Sequence, residues 1–300
     1  MILDCHTHLA CPEALPAIFY RGWQDNIARL LPPGLPERHR LRIQSQFGPP
    51  EADPGGDRHV AAMDAAGIDA AVSLIVDFGV VFPDQVPPLE EVYALHRAVA
   101  ERHPGRFLLF AGVDPRRGVR GLELFERSLR DWGFRGLKLY PPCGFSPSDP
   151  SLDPFYALCQ EHGVPVLTHL GPTSPVLSFQ HTRPEDVEPA AFRHPKVDFI
   201  LAHGAVVHRE AAGLLAGYRP NVYIDTSGFQ VLRQRREWAQ TLSWFKQQGL
   251  VRKLLFGTDW PIHRQYGDLD SAHAWQGGPL TDRELGWLMV DTPREVLGIQ

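Results

Sequence analysis

Two histidines stand two residues apart near the start of the chain, in the stretch Asp4-Cys5-His6-Thr7-His8. They end an apolar run that has the character of a β-strand, and alternate side chains of a strand point to the same face. His6 and His8 are therefore predicted to direct their imidazoles to one side. Two converging imidazoles can begin a metal site, although an isolated His-x-His pair also arises by chance.

Three further polar residues follow apolar runs of the same kind, namely His169, His203 and Asp259. In a barrel of parallel strands the carboxyl ends meet at one face, where the active sites of this fold are built. A histidine that merely caps its strand and bonds to backbone is a reasonable alternative for any one position. It does not account for the repeated placement, so these residues are predicted to meet.

Together, His6, His8, His169 and Asp259 offer three neutral imidazoles and one carboxylate. This ligand set suits a divalent ion, zinc before manganese or iron, and leaves a position for water or substrate. Such an ion lowers the pKa of bound water to about 7. Asp259 is then expected to accept the proton of that water and pass it to the leaving group. His203 is expected to polarise the reacting oxygen or to act as a base.

One lysine, Lys138, stands within the apolar run Gly136-Leu137-Lys138-Leu139-Tyr140, where a charge needs an explanation. It could bind a substrate carboxylate, carry a carbamate that bridges two metal ions, or reach solvent at the end of its strand. Binding of a substrate carboxylate is the favoured interpretation. His263 and Arg264, just beyond Asp259, are further candidates for holding an anionic substrate, although loops often contain such residues.

These side chains need a scaffold that brings their strands together. Short runs rich in Val, Ile, Leu and Phe alternate with longer segments of helical spacing, which predicts an α/β protein with a parallel sheet. Eight such runs favour a closed (β/α)8 TIM barrel. The predicted strands are 1–6, 70–76, 107–113, 136–140, 164–169, 197–203, 222–226 and 253–257. The predicted helices include 88–103, 153–162 and a last one over 281–290, opened by a Thr281 and Glu284 capping box.

One segment, residues 10–57, interrupts this alternation. It is rich in Pro and Gly and has short helical stretches near 23–31 and 37–46. We expect an insertion after the first strand that forms a lid over the barrel mouth. No Gly/Ser-rich linker divides the chain, so residues 1–300 are predicted to form a single domain.

The composition argues against several classes of partner. The chain of 300 residues is 43% hydrophobic and has a formal net charge of −5, with no basic stripe that would track nucleic acid. It lacks an apolar run of the ~18 residues that a membrane helix needs, and its start does not resemble a secretion signal. A cytoplasmic protein that acts on a small molecule is the expectation, with its four cysteines reduced.

Other histidines and two tryptophans receive simpler interpretations. His96, His103, His162 and His194 fall within or at the ends of predicted helices and are expected to be helix-end or surface residues. Trp238 and Trp244 are expected to be exposed aromatic residues compatible with a homodimer interface.

The sequence resembles the amidohydrolase superfamily, in the branch that includes aminocarboxymuconate-semialdehyde decarboxylase, resorcylate decarboxylases, dicarboxylate lactone hydrolases and sugar lactonases. The resemblance spans nearly the whole chain. It rests on Asp4-x-His6-x-His8, Met63-Asp64-Ala65-Ala66-Gly67-Ile68-Asp69, His103-Pro104-Gly105-Arg106-Phe107 through Val113-Asp114-Pro115, Gly136-Leu137-Lys138-Leu139, His169, His203-Gly204 and Gly257-Thr258-Asp259-Trp260-Pro261.

The resemblance implies a barrel with one divalent metal, usually zinc, bound by residues that match His6, His8, His169 and Asp259. It implies a catalytic role for His203. Some relatives use manganese and some work without metal. The chain departs from the family in its closing helix, which reads Asp291-Thr292-Pro293-Arg294-Glu295-Val296-Leu297, and in the 10–57 insertion.

The leading functional expectation is a metal-dependent hydrolase acting on an ester, lactone or amide bond of a small, carboxylated molecule through metal-activated water. The alternative is metal-dependent, non-oxidative decarboxylation of an aromatic or muconate-like acid, which needs the same Lewis acid and a positioned acid or base. A catalytically silent barrel acting as a scaffold is a third hypothesis, which the intact His and Asp set disfavours.

Overall fold

Each of the eight apolar runs forms a strand in the computed structural model of the protein, which describes residues 1–229, 232, 237–262 and 275–299. Most strands are shorter than predicted by one or two residues at an end. The strands are β1 (Leu3–Thr7), β2 (Ala70–Leu74), β3 (Phe107–Gly112), β4 (Gly136–Leu139), β5 (Val166–His169), β6 (Phe199–Ala202), β7 (Val222–Asp225) and β8 (Leu254–Leu255).

The strands form one parallel sheet in the order β1 to β8, each paired with the next along the chain. Backbone hydrogen bonds then join the last strand to the first. The amide of Cys5 donates to the Phe256 carbonyl at 2.8 Å, and the amide of Asp259 donates to the His6 carbonyl at 2.8 Å. The fold is therefore the predicted (β/α)8 TIM barrel in a single domain.

Helices follow the strands and cover the outside of the sheet. They are α1 (Ala17–Leu30), α2 (Glu37–Ser45), α3 (Asp57–Ala66), α4 (Leu89–Arg102), α5 (Gly118–Trp132), α6 (Asp153–His162), α7 (Pro184–Arg193), α8 (Arg209–Tyr218), α9 (Trp238–Gln247), α10 (Asp282–Gly286) and α11 (Thr292–Val296). The predicted capping box opens α10, since the Thr281 side chain accepts from the Glu284 amide. A π-helical turn, Trp287–Asp291, joins α10 to α11.

Alternate strand residues contribute to two separate apolar clusters. Leu167, Ile200 and Leu255 pack in one cluster with residues of other strands. Their neighbours, such as Val166 and Leu201, pack in a larger cluster that contains the helix residues Phe125, Phe155 and Phe245. Strands that are buried on both faces explain why the apolar runs of the sequence are nearly continuous.

Two expectations about individual side chains were wrong. His96 is 1% exposed, and its Nδ1 lies 3.0 Å from the Ser73 hydroxyl of β2. It belongs to the inner face of α4 because the helix turns this position toward the sheet. Trp238 and Trp244 are half-buried against the large cluster, so the reason given for a homodimer does not hold. The oligomeric state itself stays a prediction.

The segment after β1 contains α1 and α2 near the predicted helical stretches. Phe19 and Tyr20 of α1 are buried, whereas α2 has no buried residue. The action of residues 10–57 as a lid stays a prediction. Among the residues that the structure describes, no helix is long and apolar enough to cross a membrane.

Candidate metal and active site

The carboxyl ends of β1 and β8 bring two imidazoles and a carboxylate together. The Nε2 atoms of His6 and His8 lie 3.4 Å and 3.5 Å from Oδ1 of Asp259. The potential ligand atoms of these three residues all lie within 4.8 Å of one another, and all three side chains are buried. Asp259 takes a left-handed backbone conformation, with φ of 59°.

The hydrogen bonds of the two histidines fix which nitrogen carries the proton. Nδ1 of His8 lies 3.1 Å from the Leu74 carbonyl oxygen, which can only accept. Nδ1 of His6 lies 2.6 Å from Oδ2 of Asp225. In the neutral form of each ring Nδ1 therefore donates, and Nε2 has a bare lone pair. Burial also lowers the pKa of His8 well below its usual value, which keeps this imidazole neutral.

Asp225 at the end of β7 was missed from the sequence. Its Oδ1 accepts hydrogen bonds from the His203 amide at 2.7 Å and from the Ser227 hydroxyl at 2.5 Å, while Oδ2 accepts from His6. Burial opposes the charge of Asp225, but these contacts outweigh it and lower the pKa of the carboxyl. The signal was present, because Asp225-Thr226-Ser227 follows an apolar run as His169, His203 and Asp259 do.

His203 stands just after β6 with a left-handed φ of 60°. Its ring lies 4.7 Å from the His6 ring, and its Nδ1 lies 2.8 Å from the Ser227 hydroxyl. Burial lowers the pKa of His203 to about 4. A neutral imidazole thus stands beside the His6, His8 and Asp259 cluster, where it can accept a proton.

The fourth predicted ligand, His169, lies at the end of β5. Its ring is 4.9 Å from the His203 ring and 4.7 Å from the Tyr140 ring. Its Nε2 is buried and makes no hydrogen bond to any described residue. Burial lowers the pKa of His169 well below its usual value. His169 is close to the cluster but stands outside the group of atoms within 4.8 Å.

Lys138 on β4 is 1% exposed, so its side chain does not reach solvent as one interpretation allowed. Its Nζ makes no hydrogen bond to any described residue and lies 5.9 Å from the centre of the Tyr140 ring. Burial lowers the pKa of Lys138 to about 8, against the attraction of Asp225 and Asp259. Lys138 is not among the residues that line the cavity described below.

A cavity of about 390 Å³ opens onto the cluster. His8, His169, His203 and Asp259 are among the residues that line it. The lining also includes the rings of Phe19, Trp23, Phe78 and Tyr140, with centroid distances of 4.7 Å for Phe19 to Trp23, 5.6 Å for Phe19 to Phe78 and 5.6 Å for Phe78 to Tyr140. We call these four rings the aromatic wall. Two of them, Phe19 and Trp23, come from the insertion.

The structure thus brings together five predicted site residues, His6, His8, His169, His203 and Asp259. The predicted substrate-binding residues His263 and Arg264 lie outside the described residues. The aromatic wall, Asp225 and Ser227 were not predicted from the sequence.

The donor set fits a divalent cation. Two bare imidazole nitrogens and a carboxylate oxygen converge, and three acceptors this close repel one another unless a positive charge lies between them. The Nδ1 hydrogen bonds of His6 and His8 orient the rings in the manner of metal-binding histidines. Nitrogen and carboxylate ligands suit zinc, manganese or iron.

Comparisons with known proteins agree with this architecture. A family model described as Amidohydrolase matches residues 3–299. Among solved structures, 5-carboxyvanillate decarboxylase from Novosphingobium aromaticivorans DSM 12444, complexed with manganese and 4-hydroxy-3-methoxy-5-nitrobenzoic acid, is 15% identical with a TM-score of 0.70, covering 100% of this chain and 96% of that one. No curated protein matches the sequence.

Two further structures are similar over almost their whole length. For 2,6-dihydroxybenzoate decarboxylase from Rhizobium, the identity is 17%, the TM-score 0.67 and the coverage 99% of this chain and 98% of that one. A dihydroxybenzoic acid decarboxylase from Polaromonas sp. JS666, with bound manganese and 2-nitroresorcinol, is 16% identical with a TM-score of 0.66, covering 99% and 96%. At such identities the likeness shows a shared fold.

Proposed function

This chain belongs to the amidohydrolase family, and we propose that it catalyses the non-oxidative decarboxylation of a small aromatic or muconate-like carboxylic acid with one divalent metal ion. The observation that carries the proposal is a convergent cluster of histidines and Asp259 at a cavity that is also lined by the aromatic wall. Flat rings favour stacked or edge-to-face contacts with other rings, so the wall suits an aromatic substrate. A volume of about 390 Å³ suits a small molecule.

The structural neighbours support the same reaction class. The three described above are named as decarboxylases of aromatic carboxylic acids, and two of them hold manganese. We therefore favour decarboxylation over hydrolysis, the first expectation from the sequence, and manganese over zinc. Hydrolysis would use the same cluster, and these neighbours lend it no support.

His6, His8, His169 and Asp259 are the proposed ligands of the metal ion. A bound divalent ion would act as a Lewis acid toward the oxygens of the substrate. His6 and His8 present bare Nε2 atoms for this purpose, while Asp225 and the Leu74 carbonyl hold their rings in place. His169 completes the set from β5 with a buried Nε2 that has no other described partner.

Decarboxylation breaks the bond between the carboxylate carbon and the ring carbon. The electron pair stays on the ring carbon, carbon dioxide leaves, and a proton takes its place. We assign delivery of that proton to Asp259, which lines the cavity, after the carboxylate has taken it up from substrate or solvent. His203 is neutral and can accept a hydrogen bond or a proton from a ring hydroxyl of the substrate. A proton taken up in this way returns to the hydroxyl oxygen after carbon dioxide has left.

A buried cation supports the binding of an acidic substrate. Lys138 makes no described hydrogen bond and lies on β4, whose neighbour β5 ends in His169. We assign it to substrate binding through its positive field, since it does not line the cavity. Roles for His263 and Arg264 in holding the substrate stay predictions.

A substrate panel tests the proposal. Protein reconstituted with manganese is assayed for carbon dioxide release from hydroxybenzoates, methoxylated benzoates and a muconate-like acid, and for proton release from lactones. Carbon dioxide from at least one acid is expected. Asp259→Asn should lower kcat by roughly 100-fold or more, because the proton donor and one carboxylate ligand of the metal ion are lost together.

The matched control is Asp291→Asn, the same chemical change at an exposed position, which should leave kcat unchanged. Proton release from lactones without carbon dioxide from any acid would establish a hydrolase instead. An Asp259→Asn variant with wild-type kcat would remove Asp259 from the reaction.

A further inference from the structure

Ser227 stands between two histidines and a carboxylate just after β7. Its Oγ lies 2.5 Å from Oδ1 of Asp225, 2.8 Å from Nδ1 of His203 and 3.2 Å from Nδ1 of His6. The side chain is fully buried. Neither the metal ligands nor the proton donor proposed above explains why a hydroxyl occupies this position.

A count of protons settles the direction of these contacts. A hydroxyl has one hydrogen, and an ionised carboxylate has none to give. Two oxygens 2.5 Å apart need that hydrogen between them, so Ser227 donates to Asp225. The Ser227 oxygen is then only an acceptor toward its other neighbours. Nδ1 of His203, at 2.8 Å, must donate to it.

We infer that Ser227 is a positioning residue that holds His203 in the tautomer with the proton on Nδ1, so that Nε2 is the nitrogen able to accept a proton. Asp225 fixes this arrangement, because its carboxylate accepts hydrogen bonds from the Ser227 hydroxyl and from the His203 amide, the latter at 2.7 Å. The same carboxylate accepts from Nδ1 of His6. One buried carboxylate thereby orders both rings.

This inference rests on the proposed function only in one respect, namely that Nε2 of His203 accepts a proton from the substrate. In the reverse tautomer Nε2 would carry the proton, and His203 could donate to a substrate hydroxyl but not accept from it. When the Ser227 hydroxyl is lost, the Nδ1 proton of His203 is left with a more distant acceptor, the backbone carbonyl oxygen of residue 227 at 3.4 Å. At that distance the hydrogen bond is weak. Imidazole without a directing partner favours the Nε2 proton in water, so the ring is expected to shift toward that tautomer.

The test is nitrogen NMR on protein labelled with 15N at histidine and loaded with zinc, which is diamagnetic. Long-range proton–nitrogen correlations distinguish a protonated from a bare ring nitrogen. The signals missing from His203→Gln identify His203. The wild type should show a protonated Nδ1 and an unprotonated Nε2 at His203. Apart from His203→Gln, which supplies the assignment, this measurement requires no variant.

Two substitutions separate this role from a merely structural one. Ser227→Ala should move the His203 pattern toward the Nε2 proton and lower kcat roughly 10- to 100-fold with little change in KM or zinc content. Ser227→Thr, which keeps the hydroxyl, should restore both the pattern and kcat.

A wild-type spectrum with the proton on Nε2 of His203 would overturn the inference, as would a Ser227→Ala spectrum identical to that of the wild type. Because the spectra need no substrate, they can contradict the role of Ser227 even where decarboxylation is demonstrated. Failure of every acid in the substrate panel would contradict the proposed function and leave the tautomer measurement standing.

Discussion

His6 and His8 can bind a metal because each has its Nδ1 proton engaged elsewhere. Asp225 accepts from His6, and the Leu74 carbonyl accepts from His8. The two Nε2 lone pairs and the Asp259 carboxylate then face one another at 3.4 Å and 3.5 Å. Such a group of acceptors is unfavourable in a buried site without a cation, so metal binding and the integrity of the site are expected to be coupled.

Removal of both imidazoles tests this coupling. The double variant His6→Ala/His8→Ala should lose the metal ion, because two of the four proposed ligands disappear and the remaining His169 and Asp259 bind a divalent ion weakly. Elemental mass spectrometry of the purified proteins after reconstitution with manganese is the measurement, with about one ion per wild-type chain expected.

The control is His39→Ala/His162→Ala, which removes two exposed histidines and should leave the metal content unchanged. Wild-type protein that takes up no manganese or zinc would contradict the metal site. Full metal content in the His6→Ala/His8→Ala protein would place the ion elsewhere.

At the scale of residues, the sequence predicts a side chain when its type and its place both point to chemistry. His6, His8, His169, His203 and Asp259 have both, since they are metal-binding types that follow apolar strands. Asp225 and Ser227 follow a strand equally well, but their role is to bind other side chains. That role depends on distances such as 2.6 Å from Asp225 to His6, across 219 residues of chain, which no local pattern contains.

The closing seam between β1 and β8 is the element that sets the geometry of the cluster. Asp4 is fully buried there, and its carboxylate accepts from the Thr258 hydroxyl at 2.5 Å and from the amides of Thr258 and His6 at 3.0 Å and 3.1 Å. Burial raises the pKa of Asp4 to about 7, against these hydrogen bonds. The contacts join the residue before Asp259 to the strand that bears His6 and His8.

Thr258→Val removes the hydroxyl at this seam while keeping the shape of the side chain. Leaving the Asp4 oxygen without its partner should cost about 1–3 kcal/mol of unfolding free energy. It should also weaken metal binding, because His6 and Asp259 are no longer held in register. Urea denaturation and a manganese titration measure the two effects.

Thr292→Val is the matched control, since the buried Thr292 hydroxyl makes no hydrogen bond among the described residues. That variant should be as stable as the wild type or slightly more stable. Equal stability and equal manganese affinity of Thr258→Val and the wild type would show that the seam does not depend on this hydroxyl.

Helix α1 is the second element on which the site depends, because it supplies Phe19 and Trp23 to the aromatic wall. It packs closely on the chain after β5. The Ser174 hydroxyl donates to the Phe19 carbonyl at 2.5 Å, and a Cβ at Gly22 would lie 2.4 Å from Ser174 Oγ and 2.9 Å from Val176 Cγ1. Only glycine permits this approach, and the approach places the two rings over the cavity.

Gly22→Ala should therefore displace α1. Alanine favours a helix over glycine by about 1 kcal/mol, but the overlap with Ser174 and Val176 should cost about 1–3 kcal/mol. We expect a net loss of stability and a KM raised several-fold, measured by thermal unfolding and by kinetics on an accepted acid. Gly34→Ala is the control, because a Cβ there meets no atom within 4 Å. An unchanged KM for Gly22→Ala would show that the position of α1 does not affect substrate binding.

At the scale of elements, the sequence predicts the strands, because their burial requires apolar residues. It does not predict where a strand ends or what a helix face covers, because these features depend on contacts with other segments. The eight strands are found because strands buried on both faces must be apolar almost throughout. β8 is shorter than predicted, Leu254–Leu255 against 253–257. Lys253 belongs to a 3-10 turn, and the amides of Phe256 and Gly257 donate to the Leu288 carbonyl and the Thr226 hydroxyl instead of to the backbone of β7. The four-residue spacing of Phe19 and Trp23 places both on one face of a helix, but it does not indicate what that face covers.

For the molecule as a whole, buried histidines make stability depend on pH. His59, stacked on Trp260 at 5.6 Å, and His96, beside Ser73, lie in α3 and α4 and are not among the proposed metal ligands. Burial lowers the pKa of each to about 3, from 6.5. Below pH 6.5 the unfolded chain binds a proton at each site that the folded protein does not. Stability from these groups is therefore complete above pH 6.5 and falls as the pH decreases toward 3.

His96→Gln isolates one of these contributions, since glutamine does not titrate and can still bond to Ser73. For each of these buried histidines, the free energy of unfolding should fall by about 1.4 kcal/mol for each pH unit below the pKa that the group has in the unfolded chain. Between pH 7.5 and 5.5 the variant should therefore lose about 1.4 kcal/mol less than the wild type in urea denaturation. His39→Gln, at an exposed position on α2, should lose as much as the wild type. Equal losses in His96→Gln and the wild type would mean that His96 can take up a proton inside the folded barrel, and the acid sensitivity of the fold would then have to arise from other groups.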